Sequence, residues 1–298
     1  MSDIANSSIL RAGLFMVLAM GSFVTNDTMV KLIGPSLPVG EIIMIRGIMA
    51  TLLIAMIAAS QGVLGSVPQL RSGTVVTRAM LDLFATILFI TALMHMQIAN
   101  LTAILQAVPL AVAFLSATFL GEKVGWRRST AIILGFIGVL LIVKPTPANF
   151  SVFDIVALVI VFAVAVRDIV TRRIPSRVPT LIIALANATF VTAGGAVLCF
   201  FEDFTWPQAW QLGLLALASI FLASGYMFMV ATLRAGDLSA TAPFRYSIMI
   251  FAIISGIAVF GEMPDTVAMV GMVLIVATGL YAAHREARLK NISRTPAP

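Results

Sequence analysis

Five charged residues stand inside apolar runs where leucine would ordinarily be found: Arg46, Arg167, Arg245, Asp27 and Asp168. A charge at the centre of a bilayer costs at least ~2.5–3.5 kcal/mol on insertion scales, so each one needs a chemical reason. Arg245 lies in the segment APFRYSIM, about eight residues into an apolar stretch and therefore about 12 Å deep at a rise of 1.5 Å per residue. Its planar guanidinium fork suits a carboxylate or a carbonyl-rich ring. Pro243, two residues earlier, removes a backbone donor and loosens the helix beside it. Phe244 and Tyr246 flank the arginine and add stacking and a hydroxyl. These three are the first choice for a substrate-binding group, and Arg46, in EIIMIRGIM, is the second.

Two amides extend the set. Gln106 precedes Pro109 by three residues, as a polar side chain beside a softened helix, and Asn187 occupies another apolar run. Asn26 and Asp27 are adjacent, and Asp27 is the natural carrier if a proton is coupled to transport. Arg167 and Asp168 are also adjacent, so on a helix they point about 100° apart and at least one must face a cavity or another helix; with Asn26 and Asp27 they are the candidates for coupling or gating. Asp27 with Lys31, Arg78 with Asp82 and Asp168 with Arg172 have the i,i+4 spacing that lets opposite charges neutralise each other on a helix. Glu122 and Glu262 each follow a glycine at the end of an apolar run and read as loop caps.

Other chemistries lack their residues. No G-x-x-x-x-G-K-[ST] phosphate loop and no H-E-x-x-H zinc motif occurs. The single Cys199 and the two histidines, His95 and His284, cannot assemble a thiolate or imidazole metal cluster. Neither a cofactor nor a metal is expected.

The elements that position these residues follow from composition. The chain is 60% hydrophobic and 11% charged, with a mean hydropathy of +1.05. Soluble proteins carry roughly 25% charged residues. A helix needs ~20 apolar residues to cross a bilayer, and runs of that length fall at about 11–33, 41–60, 75–95, 99–119, 129–147, 152–172, 180–200, 211–233, 238–260 and 265–284. The expectation is an all-α polytopic membrane protein of ten transmembrane helices, the first retained rather than cleaved. With the N-terminus inside, 14 of the 19 lysines and arginines fall in cytoplasmic loops and ends, which places both termini in the cytoplasm. The net charge of +6 is then a sidedness signal and implies no nucleic-acid partner.

The chain also repeats itself. Asp27, Lys31 and Pro38 recur 141 residues later as Asp168, Arg172 and Pro179. Gly121 and Glu122 recur 140 residues later as Gly261 and Glu262. At the same offsets Gln106 corresponds to Tyr246 and Arg46 to Asn187. Two five-helix repeats, residues 1–147 and 148–298 with a short cytoplasmic tail, are expected. Because five is odd, the second repeat must enter the membrane inverted. Such pairs of half-bundles rock about a central site in alternating access.

Ten helices in two fused repeats, the text PLAVAFLSATFLGEKVGWRRSTAIILGFIGVLLIVKP and its weaker copy ending at VFGEMP resemble the drug/metabolite transporter superfamily and its EamA-domain proteins. NDTMVKLIG, VRDIVTRRIP and APFRYS are similar to a bacterial subgroup that includes riboflavin and S-adenosylmethionine importers. The resemblance implies a secondary or facilitative carrier in the bacterial inner membrane, moving a small acceptor-rich metabolite through a central cavity. A proton or sodium ion would be its coupling ion, and monomer and homodimer are both open. The alternatives are an exporter of amino acids or drugs on the same fold and, from a different class, an intramembrane enzyme or lipid flippase. An enzyme would need a nucleophile and base in one cavity, and the chain offers no convincing pair.

Overall fold

The computed structural model describes residues 2–63, 65, 72–119, 121, 125–145, 151–175, 178–235 and 241–294. Every regular element among them is helical. The α-helices are α1 (Ser2–Ile33), α2 (Val39–Ser60), α3 (Gly73–His95), α4 (Ile98–Leu105), α5 (Val108–Phe119), α6 (Trp126–Val143), α7 (Val152–Thr171), α8 (Thr180–Leu198), α9 (Ala209–Ala235), α10 (Ser247–Ser255) and α11 (Thr266–Arg294). A 3-10 turn at Ala242–Tyr246 and a π turn at Gly256–Phe260 extend α10 at its two ends. Counting α4 with α5, and α10 with its two turns, gives ten rods at the ten expected places.

Seven rods are long and apolar enough to cross a bilayer: Leu10–Ile33, Val39–Ser60, Gly73–His95, Ile98–Phe119, Thr180–Leu198, Ala209–Thr232 and Pro243–Phe260. The chain is therefore a multi-pass membrane protein. The apolar parts of α6 and α11 are shorter, at Ser129–Val143 and Thr266–Ala282, and α7 carries Asp154, Arg167 and Asp168 along its 20 residues.

The fourth rod is broken where the sequence predicts a continuous helix. Proline has no N–H, and its ring collides with the carbonyl four residues earlier, so Pro109 ends α4 at Leu105. The backbone tightens there to i→i−3 bonds, Gln106 N–H to Ala103 O at 3.1 Å and Ala107 N–H to Ile104 O at 3.0 Å. The repeat-related stretch Ala242–Tyr246 is likewise 3-10, with Pro243 at its start. Gly121 and Gly261 both have left-handed backbone, φ 67° and 64°, where a side chain is disfavoured. The repeated glycine of the Gly-Glu pair is therefore a backbone requirement. Of the two glutamates, Glu262 caps α4 by accepting Ile98 N–H at 3.0 Å, and Glu122 lies outside the described residues.

The chain divides into two compact units, and each draws on both halves of the sequence. The first comprises Met1–Gly21, Gln97–Ser151 and Met227–Pro298. Here α6 packs along α11 and α10 along α4. The α6/α11 contact is set by absent side chains. A Cβ on Gly271 would lie 2.6 Å from Gly138 O, and one on Gly138 would lie 2.9 Å from Ile275 Cγ1. Small residues allow this approach because, in lipid, packing is what associates helices. Asp265 caps α11, accepting Val267 and Ala268 N–H at 3.0 Å each, and pairs with Lys144. The Lys144 hydrogen bond and the Ala268 N–H hold its carboxyl below the usual range.

The second unit comprises Ser22–Met96 and Val152–Tyr226. In it α2 packs along α8, with the Thr51 and Thr192 hydroxyls 3.2 Å apart. α3 packs along α7 through an ionic network centred on the buried Asp82. Asp82, 4% exposed, accepts from Arg167 Nη1 at 2.6 Å through Oδ1 and forms an ion pair with Arg78 Nη1, 3.0 Å from Oδ2. Arg167 also donates to Asp168 Oδ1 through Nε at 3.0 Å and Nη2 at 2.7 Å. Arg78 Nε reaches Thr171 Oγ1 at 3.0 Å. Two positive and two negative charges thus cancel inside the helix pair. Beyond α8, the exposed Phe200, Phe201, Phe204, Trp206 and Trp210 form an aromatic belt of the kind found at a membrane interface.

Two stability predictions follow from these contacts. Gly271→Ala should destabilise the protein by about 1–3 kcal/mol through overpacking. Gly213→Ala, where an added Cβ meets nothing within 4 Å, should leave it unchanged or slightly more stable. Asp82→Asn should cost about 3 kcal/mol, because it strands buried guanidinium charge, and Asp82→Asn/Arg167→Gln should recover part of that loss. Thermal unfolding in detergent checks all four variants, and equal midpoints for Gly271→Ala and Gly213→Ala would contradict the packing account.

Candidate functional site

The predicted site residues fall into two groups. Asn26, Asp27, Arg46, Arg167, Asp168 and Asn187 belong to the second unit, and Gln106, Phe244, Arg245 and Tyr246 to the first.

In the second unit, α1 and α2 bring together three residues that sequence spacing kept apart. Arg46 is only 8% exposed, and its Nη1 donates to Asn26 Oδ1 at 3.2 Å. Asn26, 2% exposed, passes the contact on through Nδ2 to Asp27 Oδ1 at 2.8 Å. Asp27 is thus linked to Arg46 through the Asn26 amide. Ser219 of α9 donates to the Arg46 carbonyl at 3.0 Å and ties that turn of α2 in place. Arg46 Nε is buried and has no hydrogen-bond partner, and neither does Asn187 Oδ1. The guanidinium therefore keeps open donor capacity in a protected place, which suits an anionic or carbonyl oxygen.

Arg167 and Asp168 are placed differently. They face Asp82 and Arg78 in a network whose charges satisfy each other. Of the three i,i+4 pairs, Arg78 with Asp82 forms. Lys31 instead donates to Met96 O at 2.6 Å, Asp27 accepts from Asn26, and Asp168 accepts from Arg167.

Tyr226 of α9 is a further member of this environment, within electrostatic reach of Arg46, Arg78, Arg167 and Asp82. Its ring meets Phe23 edge-on at 5.6 Å, and Phe23 lies against Gly225. Sequence reasoning passed over Tyr226 because a single tyrosine in an apolar run carries no spacing signal.

In the first unit, Gln106 sits buried at the α4/α5 break. Arg245 is exposed on the 3-10 turn. The Tyr246 hydroxyl presses on α11, where a Cβ on Gly279 would come within 1.8 Å of it, and the Phe244 ring packs against Gly13. Tyr246 and Phe244 thus both serve close packing, leaving the Arg245 guanidinium as the available group of the trio. Among the described residues no three histidine, cysteine, aspartate or glutamate side chains gather as metal ligands.

Known proteins place this arrangement. A solved crystal structure shares the fold at a TM-score of 0.61 and 18% identity, covering 95% of this chain and 98% of that one. An S-adenosylmethionine uptake transporter of Rickettsia conorii is 24% identical over 98% of both chains. A pseudopaline exporter of Pseudomonas aeruginosa is 28% identical over 92% of this chain and 95% of the relative. A riboflavin transporter of Vibrio cholerae is 23% identical over 62% of each. These relatives are carriers of small molecules, not enzymes. The profile of the EamA-like transporter family matches residues 10–144 and 152–281, nearly the whole chain, and the protein belongs to that family.

Proposed function

We propose that this protein is a secondary or facilitative transporter of a small acceptor-rich metabolite, held through a carboxylate or a similar anionic group by Arg46. The observation that carries this reading is the nine-tenths buried guanidinium with an unpartnered Nε. A buried donor left without a partner costs free energy, of order 1–3 kcal/mol and more for a charged group, so an acceptor that fills it is bound selectively. Asn26 fixes the fork through Nη1, and Asp27 balances its charge without capping Nε. Asn187, the repeat counterpart of Arg46, contributes an open acceptor, Oδ1, for a donor on the cargo. Arg245 and Gln106 rank after Arg46: one is exposed on a turn and the other caps a helix break.

The relatives that span the full length are named for S-adenosylmethionine uptake and pseudopaline export. An S-adenosylmethionine-like cargo has a carboxylate for Arg46 and a positive sulfonium for Asp27. A riboflavin-like cargo is the second reading, favoured by the edge-on pair of rings, Phe23 and Tyr226, in the same unit as Arg46.

The carrier works by alternating access of two inverted five-helix repeats, residues 1–147 and 148–298. Pairwise contacts support this. Thr51 touches Thr192, its own counterpart at offset 141. A Cβ on Gly135 approaches Thr278, and one on Gly138 approaches Ile275; exchanging the members of either pair at offset 140 produces the other. Three residues forward in α6 match three residues back in α11, so these equivalent helices run antiparallel, as inverted repeats require. The bacterial inner membrane with both termini in the cytoplasm is the placement that the lysine and arginine distribution favours.

Thermal unfolding against S-adenosylmethionine, riboflavin, amino acids and dicarboxylates tests the reading. A cargo present at about 100 times its Kd adds roughly 2.7 kcal/mol to a reversible unfolding equilibrium. Stabilisation by a carboxylate compound should vanish in Arg46→Ala and persist in Arg245→Ala, and the opposite pattern would move the clamp to the first unit.

A further inference from the structure

A second group of charged residues, with Glu41 buried at its centre, lies five residues before Arg46, where α2 begins and the segment after α8 returns to it. Glu41 is 0% exposed. Its Oε1 accepts Thr205 N–H, while Oε2 is sealed from solvent with no hydrogen-bond partner. Glu202 reaches the same turn and accepts Gly40 N–H at 2.7 Å. A Cβ on Gly40 would lie 2.7 Å from that Glu202 oxygen and 2.9 Å from Cys199 N, so the two carboxyl-bearing segments are in close contact. Both carboxylates also act on Cys199: burial pushes its thiol up, and the Glu41 and Glu202 charges push it further.

Among the described residues no lysine or arginine is paired with Glu41 or Glu202. Among the described residues the titratable groups that interact with Glu41 are Glu202 and Cys199, while Lys31 at the end of α1 donates to Met96 O. The neighbouring contacts of Gln211, to Ser36 Oγ at 2.9 Å and to Gln208 N–H at 2.6 Å, are neutral. Two carboxylates that share a site without a cation repel, and one proton between them removes the repulsion. The start of α2, with its partial positive charge, compensates only part of one charge. The orphaned Oε2 is the atom that lacks a proton or an acceptor's partner. At offset 141 the counterparts are Ile182 for Glu41 and Gln61 for Glu202, so the other repeat has no such pair. The site is one-sided, on the membrane face opposite the N-terminus.

We propose that Glu41, with Glu202 on the neighbouring turn, is a proton-binding site that makes the α2/α8 end of the carrier responsive to pH on that face. On this account a coupling proton enters at Glu41. The proposal rests on the transporter reading for its purpose but on no cargo for its test.

The test is a pH-difference infrared spectrum of the purified protein with its glutamates labelled by 13C, which identifies a titrating glutamate without any ligand. A glutamic acid carbonyl band that changes with pH is expected. Glu41→Gln should abolish the band, since the amide still accepts Thr205 N–H but holds no exchangeable acid proton. Glu202→Gln should move its midpoint to lower pH, because removing a neighbouring negative charge favours ionisation. No titrating glutamate in the wild-type spectrum would overturn the proposal even if a variant fails to fold. So would a band unchanged in both variants, or a band that disappears when potassium is replaced by sodium, which would make the ligand a metal ion. Loss of Arg46-dependent cargo binding leaves each of these readings untouched, so the two proposals fail separately.

Discussion

A guanidinium inside a hydrocarbon slab must be neutralised by the protein around it, and the second unit is organised by that constraint. Arg167 meets it completely. Asp82 and Asp168 take its three donor nitrogens, Arg78 closes the charge balance, and the result clamps α3 to α7. Arg46 meets it only in part, through the side chain of Asn26 and the charge of Asp27 at one remove. Charge neutrality without full hydrogen bonding is what separates a site that can take an outside oxygen from a joint that only holds helices together.

The same contrast runs through the repeat. Asn26-Asp27 and Arg167-Asp168 occupy corresponding places 141 residues apart, yet one pair faces the open guanidinium of Arg46 and the other a closed four-charge network. The helix breaks at Gln106 and at Ala242–Tyr246, and the left-handed Gly121 and Gly261, keep their correspondence because backbone geometry demands it. Side-chain chemistry has diverged where backbone geometry has not.

Helix positions were legible in the sequence because ~20 consecutive apolar residues admit little else in lipid. The ten rods begin and end within a few residues of the runs read from hydropathy, apart from α1 and α11, whose helices continue into polar termini that hydropathy cannot register. The repeated Gly-Glu was legible too, and its left-handed φ supplies the reason. The site was legible in composition but not in assembly. Arg46, Asn26 and Asp27 each stood out as polar residues in apolar runs, while their meeting depends on how α1 crosses α2, a long-range packing outcome with no local signature. The i,i+4 rule succeeded for Arg78 and Asp82 and failed for Lys31, because a carbonyl at the end of α3 offered a competing acceptor. Glu41 carries no local signal, because the N–H that its carboxyl accepts, from Thr205, comes from a segment 164 residues away.

The central claim is that Arg46 holds an anionic group of a transported metabolite. The most direct measurement is exchange of S-adenosylmethionine and of its decarboxylated analogue by the protein in sealed liposomes, with and without Arg46→Lys. Lysine keeps the charge but lacks the fork and the Nε donor. The account predicts saturable exchange of the carboxylate form alone, reduced by about tenfold or more in the variant, which corresponds to a loss of about 1.4 kcal/mol. Equal exchange of both compounds, unchanged by Arg46→Lys, would contradict it.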